Sequence, residues 1–342
     1  MTFRLGVGLL QDYRPHELIE MVQAIEALGY DDLWYASEKF YRDPWVGLTI
    51  AALHSSRLRL GTFIADPYTQ HPALIAVAIA TLAEVAPDRV VLLMGAGGAA
   101  TRPLGFGRRK PAIAIREAVL LIRRLLRAEY VDFEGEVIHF SGGRLSFETN
   151  PDIPIFVASR GNLTLKMGGE VADGVMIATY ATTDGLRHGL DRVRLGAGQV
   201  GRRLEDLEIL TRVDVCIHPD RRVALDAVRP MVARMMGSSY PDKSFVHQMG
   251  LEIPAELEKI LVKKDHALTT QAAHLVSDAI VEAYTWAGTA EDVAPRVAEI
   301  VRMGITSITF LAHPYDDESG IMPTIKAFAE EVRPRVHEIL AS

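Results

Sequence analysis

Short apolar runs alternate along this chain with longer stretches whose apolar positions recur at helical spacing. The first run, Phe3 to Leu10, leads into a predicted helix from Pro15 to Leu28 that stops at Gly29. DDLWYASE is the second predicted strand, ending at Ser37 and Glu38, and Pro44 to His54 is its helix. The third strand runs from Leu58 to Ala65 and the third helix from Pro72 to Val85. His71-Pro72 opens that helix, with proline at the first helical position, where the missing N–H has no partner to lose. VVLLMGAGG is the fourth strand and Pro111 to Arg127 the fourth helix. EYVDFEGEVIHFSGGRLSF then breaks the rhythm with polar turns between short alternating runs, which predicts an inserted hairpin.

IPIFVAS, ADGVMIAT and LEILTRVDVCIH are the fifth to seventh strands, separated by helices from Asn162 to Val171 and Asp184 to Val200. A mostly helical segment spans 220–286, with breaks at Gly237 to Asp242 and near Pro254. The helix Ala290 to Met303, the strand ITSITFLA and a helix from Met322 to Leu340 complete the chain. Strands that read as near-continuous apolar runs are parallel and covered on both faces. A doubly wound open sheet also has such strands, but the first turn reads GVGLLQDY and lacks a nucleotide fingerprint. Eight strand–helix units favour an α/β fold, a (β/α)8 TIM barrel with insertions after helix 4 and between strands 7 and 8. One domain over residues 1–342 is expected, with the helical insertion at 220–286. The third helix, PALIAVAIATLAEV, is apolar nearly all round, which predicts cover on more than one side, from the insertion or from another subunit.

Composition narrows the function. Hydrophobic residues make up 49%, ample for a core, and a net charge of −7 argues against generic nucleic-acid binding. Arg102, Arg108, Arg109 and Lys110 form a local basic patch, read as a solvated loop or as a contact for an anionic cofactor tail. Cys216 is the single cysteine and reads as a buried small core residue. No HExxH or H-x-H spacing occurs, so no metal is placed. The N-terminal apolar run is too short for a signal peptide, and no apolar stretch reaches the ~20 residues a membrane span needs. A cytoplasmic protein acting on a small molecule is expected, with no nucleic-acid or membrane partner.

In a β/α barrel the chemistry lies at the C-terminal ends of the strands. Those ends carry Gln11-Asp12, Ser37-Glu38-Lys39, Ala65-Asp66, the glycines from Gly95, Ser159-Arg160-Gly161, Thr179-Tyr180, His218 and His313. GAGGAA at 95–100 formally matches a dinucleotide fingerprint but is followed by the loop TRPLGFGRRKP, not a helix. Its glycines read either as a tight turn or as a rim where a flat ring approaches the backbone. Ser159, Gly161 and Asn162, where the fifth strand meets its helix, read as an anion site on backbone amides or as Asn162 capping the helix. Glu38 and Lys39 read as a proton-transfer pair or as a surface ion pair.

These pieces together resemble the bacterial luciferase-like superfamily of flavin and deazaflavin enzymes, in the branch similar to methylenetetrahydromethanopterin reductase. The most specific match is LGTFIADPYTQHPA. GYDDLWYASE, DFEGEVIHF, PIFVAS, GGEVADGV and AGTAEDVAPRVAEIVRMGITSITF follow the family's order over nearly the whole chain. The resemblance implies a barrel holding the deazaflavin F420, or FMN, at the strand ends. It implies a non-prolyl cis peptide at Phe63–Ile64 behind the ring, with Phe63, Ile64, Ala65, Gly95 and Gly97 near the ring. The cofactor phosphate would sit near Ser159, Gly161 and Asn162, with Ala158 a further cofactor-binding residue. F420-dependent relatives often carry an Asp-His pair at the end of strand two, where this chain has Glu38 and Lys39. Some carry an acid at the end of strand four, where it has Gly98. Glu38 and Lys39 are therefore the expected catalytic residues. The implied reaction is F420-dependent hydride transfer to or from a small organic substrate. The alternatives are an FMN-dependent monooxygenase served by a separate flavin reductase, and a non-catalytic flavin-binding protein. A phosphate-binding aldolase-like barrel uses the same loops but does not account for DPYTQHP. Relatives commonly dimerise through helices of the early units, so a homodimer is expected.

Overall fold

The computed structural model describes residues 2–97, 103–105, 107–178, 181–316 and 318–342. Four strand–helix units come first: β1 Arg4–Leu9, α1 Pro15–Ala27, β2 Asp32–Ala36, α2 Pro44–Leu53, β3 Arg59–Phe63, α3 Pro72–Val85, β4 Val90–Met94 and α4 Pro111–Leu126. The predicted hairpin follows as β5 Val131–Glu134 and β6 His139–Gly143, paired antiparallel. Then come β7 Ile155–Ser159, α5 Asn162–Val171, β8 Gly174–Ala178, α6 Thr183–Gln199 and β9 Glu208–Ile217. The insertion holds α7 Arg221–Ser239, α8 Ser244–Gln248, α9 Ala255–Leu261, α10 His266–Gln271 and α11 Asp278–Tyr284. β10 Thr285–Gly288, α12 Ala290–Arg302, β11 Ser307–Ala312, α13 Met322–Ala327 and α14 Arg333–Ala341 end the chain.

The parallel strands run in the order β11-β1-β2-β3-β4-β7-β8-β9, and β9 pairs back with β11, which closes the barrel. Two details differ from the sequence expectation. β10, only four residues long and continuous with α11, reads from sequence as the end of a helix; it lies parallel to β9 at Asp214 to Ile217. The C-terminal helix is not continuous either. It passes through a π-helical turn at Phe328–Val332, just before Pro334, whose ring nitrogen has no hydrogen to donate to the preceding turn.

The barrel interior is layered. At the N-terminal floor Asp32, fully buried, accepts from Arg4 and from Arg59 Nε at 2.8 Å, and Arg59 Nη2 reaches Glu208 at 2.6 Å. The Arg59 guanidinium also lies over the Trp34 and Phe156 rings. Asp32 has two arginine partners and Arg59 two carboxylate partners, so each buried charge stays paired if one contact is lost. Above it Trp34, Val91, Leu93, Phe156, Met176 and Leu210 fill the middle, and Phe63, Ile64 and Ala158, only part-buried, form the upper edge. Gly6 and Gly8 of GVGLLQDY serve this packing: a Cβ on Gly8 would lie 2.8 Å from both Leu311 Cδ2 and Phe63 Cε1.

The insertion has its own apolar core, from Ala224 and Val228 of α7 to Val281 of α11, seated on Cys216 and Ala287 of β9 and β10. Cys216 is buried there and burial pushes its thiol up to about 11, in keeping with a core role. The outer face of α3 is another matter. Leu74 is 59% and Val77 39% exposed, and α3 packs on α2, α4 and β4 with no comparable contact to the insertion. No helix among the described residues is long and apolar enough to cross a membrane.

Candidate functional site

The turn after β3 shows why DPYTQHP has its composition. The Phe63–Ile64 peptide bond is cis, as the resemblance implies. Ala65 then forms a bridge to Met94 of β4, and its N–H donates to the Leu93 carbonyl at 3.0 Å. Asp66 closes the turn by accepting from the Tyr68 and Thr69 amides and from the Thr69 hydroxyl at 2.7 Å. His71 caps α3, its Nδ1 accepting from the Ala73 amide at 3.2 Å. Because Nδ1 accepts, Nε2 carries the hydrogen and donates to the His139 carbonyl at 3.0 Å, which ties the hairpin to α3.

Glu38 and Lys39 meet this turn differently from one another. Lys39 Nζ pairs with Asp66 at 2.9 Å, and Asp66 is almost fully buried. Burial pushes the Asp66 carboxyl up, but the Lys39 ammonium and the Thr69 hydroxyl and amide outweigh it and hold it below its ordinary range. Glu38 is exposed and makes no side-chain hydrogen bond or ion pair among the described residues, so the two do not form a surface ion pair with each other. Its backbone N–H donates to Gln11 Oε1 at 2.6 Å, and Gln11 Nε2 donates to the Arg42 carbonyl. Gln11, buried at the end of β1, thus pins the loop that carries Glu38 and Lys39. Asp43 ends that loop by capping α2 through the Trp45 and Val46 amides. A cavity of about 410 Å³ opens here, lined among others by Glu38, Lys39, Trp45, Ala65, Asp66 and Gln70.

The β4 rim is shaped by glycine. A Cβ on Gly95 would lie 2.2 Å from Ile64 Cδ1, and Gly97 has φ +69, a left-handed conformation that favours glycine. The rim therefore offers bare backbone beside the Ile64 side chain. Gly98, Arg102, Thr179 and Tyr180 lie outside the described residues. Arg108 donates to the Gly97 carbonyl at 3.1 Å and Lys110 pairs with Glu136, so these two members of the basic patch have protein partners.

At the end of β7, Gly161 is the N-cap of α5, and no side chain caps the helix. Asn162 is the first helical residue and accepts from His188 at 2.8 Å through its side chain, which overturns the reading of Asn162 as the cap. The Gly161 amide donates to Ser159 Oγ at 2.9 Å, so the amides left open at this helix start are those of Asn162 to Thr164. A second cavity of about 410 Å³ lies there, lined by Arg160, Gly161, Asn162 and His188 and by Asp242, Ser244 and Tyr284 from the insertion side.

The predicted residues thus fall into two groups. Glu38, Lys39 and Ala65 line the cavity at the ends of β2 and β3, while Gly161 and Asn162 line the one at β7. Phe63, Ile64 and Ala158 form the part-buried apolar edge of the barrel interior between them. Asp66 and Gln11, visible in the sequence only as polar residues at strand ends, are the side chains that hold Lys39 and the Glu38 loop. Among the described residues no cluster of three His, Cys, Asp or Glu side chains could hold a metal ion.

Residues 1–307 match the family model for luciferase-like monooxygenase. The chain is 28% identical over 310 residues to 5,10-methylenetetrahydromethanopterin reductase of Archaeoglobus fulgidus, covering 89% of this chain and 92% of that protein. It is also 28% identical over 359 residues to F420-dependent glucose-6-phosphate dehydrogenase of Beutenbergia cavernae, covering 97% of each. The solved coenzyme F420-dependent tetrahydromethanopterin reductase of Methanopyrus kandleri has the same fold, with a TM-score of 0.87 at 24% identity over 98% of this chain and all of that one. With the family model spanning nearly all of the barrel, the chain belongs to the luciferase-like monooxygenase family.

Proposed function

We propose that this chain is an F420-dependent oxidoreductase that transfers a hydride to or from a small organic substrate. The observation that carries the proposal is the near full-length similarity to methylenetetrahydromethanopterin reductase and F420-dependent glucose-6-phosphate dehydrogenase. The residues present fit such a cofactor. Phe63, Ile64 and Ala158 offer a part-exposed apolar edge for a ring, and the glycines at 95 and 97 leave backbone that a Cβ would obstruct. The uncapped start of α5 suits a phosphate, with Ser159, Gly161 and Asn162 around it.

Bound there, F420 would supply the carbon that gives or takes the hydride. The chain's residues have the remaining tasks. Phe63, Ile64, Ala65, Gly95, Gly97 and Ala158 would hold the ring, and Ser159, Gly161 and Asn162 the phosphate end. Lys39, held by Asp66 in an ion pair without net charge, is not free to shuttle a proton. Glu38, exposed on the same cavity and without a side-chain partner among the described residues, is free to exchange one. In the purified, F420-loaded chain, Glu38→Gln should keep F420 binding and slow hydride exchange followed by cofactor absorbance. An unchanged rate would return Glu38 to a solvated carboxylate. Oxygen uptake with reduced FMN from a separate reductase, and none of the F420 chemistry, would replace the reading with the monooxygenase one.

A further inference from the structure

Across the barrel from the Phe63–Ile64 bend lies a polar cluster. In the closed ring β9 is opposite β3, with β4, β7 and β8 between them on one side and β2, β1 and β11 on the other. Leu210 of β9 belongs to the interior layer, so Arg212 and Asp214, at two-residue spacing, point to the same side nearer the mouth. On β11 Ser307 bonds Asp32 at the floor, and Leu311 reaches Gly8 in the interior, so His313 is next up the same face. Asp214, 2% exposed, accepts from His313 Nε2 at 2.7 Å and from Arg212 through both terminal nitrogens. Arg212 and His313 keep 20% and 24% exposure. Burial pushes the Asp214 carboxyl up, but the Arg212 guanidinium and His313 outweigh it and hold it below its ordinary range.

An ionised carboxylate only accepts, so the hydrogen of a neutral His313 sits on Nε2 and its Nδ1 is an acceptor. Among the described residues neither His313 Nδ1 nor Arg212 Nε has a partner. We propose that Arg212, Asp214 and His313 form a substrate-positioning site for a hydroxyl group. A hydroxyl satisfies both halves at once: its oxygen accepts from Arg212 and its hydrogen goes to Nδ1. A carbonyl oxygen uses only the Arg212 half, and a carboxylate oxygen faces the Nδ1 lone pair. The charges of Arg212 and Asp214 cancel, so the site has no net attraction for an anion. Resting on the F420 reading, which places the ring against β3 and β4, this wall is left to the substrate. It points to a hydroxylated compound, uncharged at the end held by β9 and β11, with no bond made or broken by the three residues.

The test uses the full chain labelled with 15N-histidine and loaded with F420, with glycerol as the hydroxyl probe and acetate as the anionic one. His313 is expected as the Nε2–H tautomer, and glycerol should shift its Nδ1 resonance saturably while acetate does not. His313→Phe should remove the signal, and Arg212→Lys, which keeps the charge beside Asp214, should weaken glycerol binding at least about tenfold. Both variants should leave F420 affinity unchanged. A hydrogen on Nδ1, an Nδ1 resonance indifferent to glycerol, or a stronger response to acetate overturns the site. Failure of F420 to bind overturns the proposed function instead, because the tautomer and glycerol response are read equally well without it.

Discussion

Glu38 and Lys39 are neighbours in sequence and part company in space, which decides what each can do. In the turn that follows β2, Lys39 reaches the buried Asp66 while Glu38 stays exposed on the lining of the cavity. A pair read from adjacency alone therefore splits into one fixed charge and one free carboxylate. The fixed pair has a signature in pH. Asp66 is held low in the folded state, so it contributes stability above its unfolded value of about 3.9, and that contribution is lost as pH falls through the lower folded value. Lys39→Met removes the largest of the lowering influences and leaves burial, which raises the carboxyl, opposed by the hydrogen bonds from Thr69 and the Tyr68 amide. Urea midpoints measured between about pH 3 and 6 should rise less steeply in Lys39→Met than in the parent chain. Parallel curves would show that the ion pair adds nothing to the fold. Arg212 and Asp214 teach the complementary lesson. Within LEILTRVDVCIH they stand out in the sequence only as two charged residues in a strand; their partner His313 is distant in sequence, and only the closed barrel brings it to them.

The strands and helices of the barrel were legible because their apolar periodicity is strong and their ends carry proline, glycine and capping residues. β10 was not, since TWAG follows α11 without a break and its strand character comes from pairing with β9. The C-terminal helix kept its apolar period across the π turn, so the period could not report it. The start of α5 was legible as a strand–helix junction but not in its detail, because Ser159 takes the Gly161 amide and His188 donates to Asn162. Gly161→Asp tests this helix start directly. Gly161 has φ −85, and a Cβ there would have only Ser159 Oγ near, at 3.6 Å, so the change brings charge without strain. It should leave thermal stability nearly unchanged and weaken F420 binding at least about tenfold by setting a carboxylate against the phosphate. Unchanged affinity would place the phosphate on another loop.

Among the described residues, the outer faces of α2 and α3 expose apolar side chains that the chain's own packing does not cover. Val46 and Leu53 of α2 and Leu74 and Val77 of α3 are exposed on adjacent helices, and the insertion sits over β9 and β10. We propose that a second copy of the chain covers this face. Light scattering should give a dimer mass, and Leu74→Glu with Val77→Glu should give a monomer that keeps its fold; a monomeric parent chain would refute the idea. The central claim is the cofactor, and equilibrium titration of the purified chain with F420 and with FMN tests it most directly. Saturable F420 binding, tighter than FMN binding, is the result expected. Tight FMN binding with no affinity for F420 would contradict it.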